Sequence, residues 1–523
     1  MSVPVASSEM DNGIAKTVYA FPVILALLIV TWMMWFLKYR NEKRRIYELM
    51  ATVKQPPSCY PIFGHSLNFV GTPTYAFQKI TEYFFNYGPN FGIWFGNMPL
   101  VVIGKPEDLE TVLMSQHCVS KSYFYKFTGI VVGEGLFSAP AHKWRRNRKL
   151  IQPTFNSRIL DHFVQIFGNT SSICVNEILP KYINKRNIEW YNIFTSVNLD
   201  TISQTAMGIN TDAQRIQIPF SKHLEIAMKA VYLRFVTIYY HLDFIFNRTS
   251  LCKELRASAK YIDGFTDKVI KEKKAEFNEK LKDSEQEVST FDEAPIKRKV
   301  FLEMLLEIDH KGMKFTDKEL RDEVKTFFVG GTDTSAVTTC FFLSMMGMHQ
   351  EIQQQVYEEI MEVVGEERTP EPEDLPKFQL LERCIKETCR LFSPAPFVSR
   401  KVKGKDVTLS EFTLPVGTTL LLPIFYVHRC ADYWDEPLKF KPERFRPEEV
   451  AKRHPYTFLP FSAGLRGCVG MRYSYMNMKT LLSMILRKYK VYCDYKSIEE
   501  IKVKNYVVLR PIDGFKFHIQ ERK

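Results

Sequence analysis

Phe461-Ser-Ala-Gly464-Leu-Arg466-Gly467-Cys468-Val469-Gly470 is the stretch on which the reading turns. Two glycines before the cysteine and one after it let the backbone turn tightly and come close to a flat group. They also let backbone N–H groups point at the sulfur, which favours a thiolate. Arg466 is placed to pair with a carboxylate of the bound group, and Phe461 to pack over the loop. The segment from Met471 onward has helical period, and a helix N-terminus behind the cysteine favours the anionic sulfur further. By itself the loop specifies a thiolate facing a flat ligand.

Three other motifs lie upstream. Glu387 and Arg390 stand at i and i+3 and share a helix face. Buried as a pair they need a third partner, and Arg444 of Lys441-Pro442-Glu443-Arg444-Phe445 is available. Gly330-Gly331-Thr332-Asp333-Thr334-Ser335 sits inside a long helical stretch, from Asp317 to Met348. Two glycines within a helix cost roughly 1 kcal/mol each against alanine. Clustered Thr and Ser bond back to carbonyls one turn earlier and bend the helix. Local rules broken this densely point to a site. Trp144 and Arg148 stand at i and i+4 on one face, where an indole N–H and a guanidinium fork suit a carboxylate.

In order and spacing these motifs resemble those of the cytochrome P450 superfamily over residues 50–523. The resemblance implies a P450 fold holding noncovalent haem b, with Cys468 as the iron ligand. Phe461, Gly464, Arg466 and Gly470 would shape its loop. Trp144, Arg148 and Arg400, the last following the Pro394-Ala-Pro396 turn, would bind the propionates together with Arg466. Gly330 and Gly331 would leave room for dioxygen, and Asp333 and Thr334 would relay protons. Glu387, Arg390 and Arg444 would be structural. His428 reads as a structural histidine and not a ligand.

The segments HKWRRNRKLIQPTFNSRIL and LPFSAGLRGCVG are most similar to the animal, insect-type family 4 group. Many of its members carry Glu, able to bond covalently to haem, where this chain has Gly330, and His is common where it has Thr332. Gly330 thus removes a residue associated with oxidation of the far end of fatty acids.

The expected activity is insertion of one oxygen atom of O2 into an apolar lipid, hormone or xenobiotic. NADPH would supply electrons through cytochrome P450 reductase, with cytochrome b5 as a second partner. Arg145, Arg146 and Lys149 form a candidate docking face for the acidic reductase. Candidate cavity segments are Tyr123–Phe127, Ala227–Tyr240, Phe327–Gly331, Phe397–Val398 and Tyr506–Val507. The alternative is a haem-thiolate isomerase, or a haem-binding protein without turnover.

Periodicity gives a mainly α fold with a smaller β part. The strand-like pieces are FGIWFG, PLVVIG, DVTLSEFTL and TTLLLPIFYV. The 10 cysteines include no CxxC and no paired framework, which argues for reduced thiols. The net charge of +12 comes without a nucleic-acid-binding motif, so a membrane surface or an acidic protein suits it better. Thr17 to Leu37 is uncharged and mostly apolar, and about 20 such residues span a bilayer. Lys38, Arg40, Lys43, Arg44 and Arg45 follow it, which keeps the downstream chain cytosolic. The expected organisation is therefore residues 1–50 as lumenal tip, single-pass anchor and basic stop, and 51–523 as the cytosolic catalytic domain. The resemblance puts the anchor in the endoplasmic reticulum. The Pro-rich run Gln55 to Gly64 reads as a linker, and 271–300 as a solvated helix end and loop.

Overall fold

The computed structural model describes residues 8–286, 300–310 and 315–523. Residues 1–7 of the expected lumenal tip, and 287–299 of the charged tract, lie outside them. The first part of that tract continues the helix Ser250–Gln286.

The fold is mainly helical, as its periodicity predicts. Its central element is the helix Asp317–Met348, with the bounds expected from sequence. A capping box starts it: the Thr316 side chain accepts from the Glu319 N–H, and the Glu319 carboxylate accepts from the Thr316 N–H. Val324, Phe328, Ala336, Val337, Cys340, Phe341 and Phe342 are all wholly buried, and a helix apolar round its circumference belongs inside. It packs on the helix Trp190–Ile202 and on the strand Tyr489–Cys493.

The larger sheet runs Asn90–Phe95, Met98–Ile103, Thr419–Leu422, Val398–Lys401. The outer pairs are antiparallel and the central pair is parallel. Arg400 stands on the last strand, opposite Leu420. The late stretch TTLLLPIFYV divides at Pro423 into this strand and a short helix, Ile424–Val427. Proline ends the strand because it has no N–H for the ladder.

The N-terminal helix is longer than its apolar run. It continues unbroken from Ser8 to Thr52, through the basic cluster. Its side chains from Val23 to Leu37 are exposed, and from Pro22 the helix is long and apolar enough to cross a membrane. Ile46, Leu49 and Met50 instead pack into the core. The division expected at residue 50 therefore falls inside a helix whose last two turns belong to the body. The Pro-rich run follows and is tied down: Gly64, at φ +59, comes so close to Trp94 that an added Cβ would lie 2.5 Å from Trp94 Cβ.

Candidate functional site

The cysteine loop is held from several sides. Cys468 N–H donates to Phe461 O (3.0 Å), and Gly467 N–H to Gly464 O (3.0 Å). Leu465 N–H reaches across to Leu113 O (3.2 Å). Gly464 has φ +65, and a Cβ there would sit 2.1 Å from Leu113 O, so only glycine fits. The Phe461 ring packs on Tyr475, 5.2 Å between centroids. The helix Met471–Lys488 begins three residues after the sulfur.

Burial pushes the Cys468 thiol up, while the Gly470 N–H and the Arg148 charge pull it down. The residue nevertheless keeps exposed surface. A group desolvated by protein yet open on one side borders an internal hollow. Across the chain, Gly330 is exposed and Gly331 and Thr334 are half-buried, within a helix otherwise buried. A Cβ on Gly330 would meet nothing within 4 Å.

Beside the loop is a cluster of cations. Arg400 is 2% exposed, and its Nη1 donates to the Ser399 carbonyl (3.0 Å). Arg466 donates to three carbonyls, Val119 (3.0 Å), Leu136 (3.3 Å) and Ala139 (2.6 Å). Its guanidinium lies 4.5 Å from the Trp144 ring centroid. Arg148 Nη1 donates to Gly467 O (3.1 Å), the carbonyl just before Cys468. No carboxylate pairs with Lys121, Arg148, Arg400 or Arg466 among the described residues. Burial and the neighbouring Arg400 lower Arg466 to about 9. Burial, Arg400 and Arg466 also hold Lys121 well below its ordinary range. Buried cations that repel one another require an anion. A haem fits: its propionates would answer Arg148, Arg400 and Arg466, and its iron would take the Cys468 sulfur. Trp144 stands against Arg466 and so orients that guanidinium.

The scaffold motif closes as a network. Arg390 pairs with Glu387 through two bonds, 2.7 and 2.8 Å, with both residues wholly buried. Arg444 reaches the same carboxylate at 3.3 Å, and Lys441 N–H donates to it at 2.9 Å. Arg390 also donates to the His428, Pro437 and Lys439 carbonyls. His428 Nε2 accepts from Leu459 N–H (2.7 Å), and burial with the Arg390 charge holds its pKa at about 3. It is a neutral structural histidine joining this network to the segment before the cysteine loop.

On the long helix, Thr334 Oγ1 donates to Gly330 O (2.6 Å). Asp333 points elsewhere, since adjacent helical residues do not share a face. Its Oδ1 accepts from Tyr191 (2.9 Å) and pairs with Arg510 (2.9 Å). Arg510 also donates to the Tyr191 hydroxyl (2.7 Å) and faces Glu225 at 3.4 Å. Oδ2 of Asp333 is buried without a partner. Sequence reasoning missed Tyr191, Arg510 and Glu225, which lie far along the chain and carry no local signature.

It also missed Glu323. This buried carboxylate, nearly two turns into the long helix, accepts from Leu136 N–H (2.9 Å) and from Asn147 Nδ2 (2.6 Å). Leu136 offers its carbonyl to Arg466, and Asn147 neighbours Arg148. Glu323 therefore ties the long helix to both arginines that hold the cysteine loop.

Three candidate cavity segments converge. Phe124 packs on Phe235 at 4.3 Å and Phe235 on Phe397 at 6.1 Å. Phe327 does not join them. It packs between Phe155 (5.6 Å) and Phe301 (4.1 Å), as ordinary core. The unpaired basic face is smaller than expected, because the exposed Arg146 is paired with Glu319 at 2.6 Å, leaving Arg145 and Lys149 exposed without an ion pair among the described residues.

A family model described as Cytochrome P450 matches residues 54–519. Cytochrome P450 4V2 of Mus musculus is 32% identical, covering 91% of this chain and 91% of its own length. The 4V2 protein of Homo sapiens is also 32% identical over 91% of this chain. Cytochrome P450 4g15 of Drosophila melanogaster is 28% identical over 96% of this chain and 97% of its own. The sulfur-bearing loop, the unanswered cations beside it and these matches agree, and the chain belongs to the cytochrome P450 family, among haem monooxygenases of its family 4 group.

Proposed function

We propose that this chain is a membrane-anchored monooxygenase that inserts one atom of O2 into an apolar small molecule, with Cys468 as the thiolate ligand of its noncovalent haem. The observation that carries the reading is the exposed Cys468 beside buried, carboxylate-free arginines. Haem, when bound through a thiolate, supplies the site at which dioxygen is activated and its O–O bond broken. The remaining roles belong to side chains. Arg148 fixes the carbonyl before the cysteine, and Gly470 directs its N–H at the sulfur. Cys468 would hold the iron as a thiolate, its proton lost to solvent. Arg148, Arg400 and Arg466 orient the propionates.

Forming product and water from O2 consumes two protons, so the site needs a relay. Thr334 is its inner member: the hydroxyl, parked on Gly330 O, is free to turn and donate. Asp333 is the outer member. Its free Oδ2 takes up a proton and passes it on, while Tyr191 and Arg510 hold Oδ1. Aromatic walls at Phe124, Phe235 and Phe397 favour an apolar substrate.

Electrons would come from NADPH through a reductase docked at Arg145 and Lys149, with cytochrome b5 as a second donor. An anchor of this orientation suits the endoplasmic reticulum, with residues 51–523 in the cytosol. Thr334→Ala in the reconstituted full-length enzyme tests the relay. The haem spectrum is expected to stay unchanged while product per NADPH consumed falls several-fold. Unaltered coupling would remove Thr334 from the proton path.

A further inference from the structure

A second cavity, about 400 Å³, lies between the anchor helix and the larger sheet. Tyr39, Lys43 and Ile46 form the anchor's side of it, and Tyr123, His241 and Lys401 the body's. Its charge is one-sided. No carboxylate lines it, and neither Lys43 nor Lys401 has an ion-pair partner among the described residues. The adjoining anchor cations are satisfied within the protein: Arg44 pairs with Glu48 at 2.8 Å, and Arg45 with Asp406. Proximity to Lys43 and Lys403 adds to burial in lowering the Lys401 pKa.

The cavity's height above the bilayer follows from the helix. Lys43 stands six residues beyond Leu37, where the exposed apolar run ends. At about 1.5 Å per residue it lies roughly 9 Å past that end. A headgroup layer is about 5–7 Å thick on each side of a hydrocarbon core of about 30 Å, so the Lys43 backbone stands just above it and its side chain can reach back to it. Below Lys43, Val23 to Leu37 present an uncovered apolar strip.

We propose that this cavity binds the headgroup of a phospholipid carrying a net negative charge, with its phosphate between Lys43 and Lys401. Tyr39 and Tyr123 supply hydroxyl groups for the glycerol and ester oxygens, and Ile46 an apolar contact. The acyl chains run down the exposed face of the anchor. The site rests on reading residues Thr17 to Leu37 as a membrane anchor, and it fixes how the body sits on the bilayer.

The test uses the full-length holoprotein in vesicles of phosphatidylcholine and phosphatidylglycerol. Lipid retained after transfer to detergent is counted by native mass spectrometry. The comparison is Lys43→Gln with Lys401→Gln against Arg40→Gln with Lys403→Gln, which removes equal charge outside the cavity. One phosphatidylglycerol per chain is expected on the unsubstituted protein and on the control. At about fivefold per lysine near an anionic surface, the cavity variant should retain it roughly 25-fold less. Equal loss in both variants, or no lipid retained by the unsubstituted protein, would overturn the site. Displacement by inorganic phosphate would likewise overturn it in favour of a soluble anion. Release of the protein from vesicles by alkaline carbonate would reject the anchor reading itself. An unchanged haem spectrum in each variant shows that the fold is intact.

Discussion

Asp333, in the middle of the long helix, is ion-paired with Arg510 at 2.9 Å, 177 residues later in the chain. Both side chains are almost wholly buried. Removing one partner of such a pair leaves a desolvated charge. Arg510→Met is therefore expected to destabilise the fold by about 3–5 kcal/mol, measured by thermal or denaturant unfolding. Asp333→Asn keeps the shape and the Tyr191 contact. It leaves Arg510 only Glu225, at 3.4 Å, so it is expected to lose stability too, by less than Arg510→Met, yet to fold and hold haem while lowering product formed per NADPH consumed. Full coupling in a folded Asp333→Asn enzyme would confine Asp333 to a structural role.

The arginines beside the cysteine loop divide into two kinds. Arg466 fastens three carbonyls, whereas Arg400 adds mainly repulsion to a crowded cluster. Arg400→Leu is expected to leave the haem-free protein at least as stable, yet to release haem faster. A lost charged hydrogen bond is worth about 1.5–3 kcal/mol, or roughly 10- to 150-fold in the rate of haem transfer to excess apomyoglobin. Arg466→Leu should lose both haem affinity and fold stability. Unchanged haem release in Arg400→Leu would place the propionates elsewhere.

Glu323 sets a pH dependence. Burial raises its carboxyl from 4.5 to about 7, against the bonds from Leu136 and Asn147. The folded state thus binds a proton there that the unfolded chain releases near pH 4.5. The resulting stability is complete below that pH and lost as pH rises towards 7. A displacement of that size is worth on the order of 3 kcal/mol. Glu323→Gln should remove this part of the slope between pH 4.5 and 7, read from denaturant midpoints. A slope identical to that of the parent protein would mean that Glu323 is ionised throughout.

The loop at Cys468, the pair Trp144–Arg148 and the set Glu387, Arg390 and Arg444 were legible because each is a short pattern with its own spacing. The helix Asp317–Met348 was legible as one long helical stretch around the Gly330–Ser335 motif. What the sequence could not show is how distant side chains meet. Asp333 carries the motif, but its partners Tyr191 and Arg510 come from 142 and 177 residues away. Glu323 looks like any acidic residue near a helix start until Leu136 and Asn147 are seen against it. Arg146 reads as free basic surface until Glu319 is seen paired with it. The N-terminal helix misled in the opposite way. Its apolar run was clear, but not that the same helix continues to Thr52 and buries Met50 in the body.

The most direct test of the central claim is the difference spectrum of the reduced, CO-bound full-length protein, taken with its Cys468→His variant. Thiolate ligation predicts a Soret band displaced to the red in the parent protein, and its replacement by an undisplaced band in Cys468→His. An undisplaced band from folded, haem-loaded parent protein would contradict Cys468 as the iron ligand. So would a displaced band that survives the substitution.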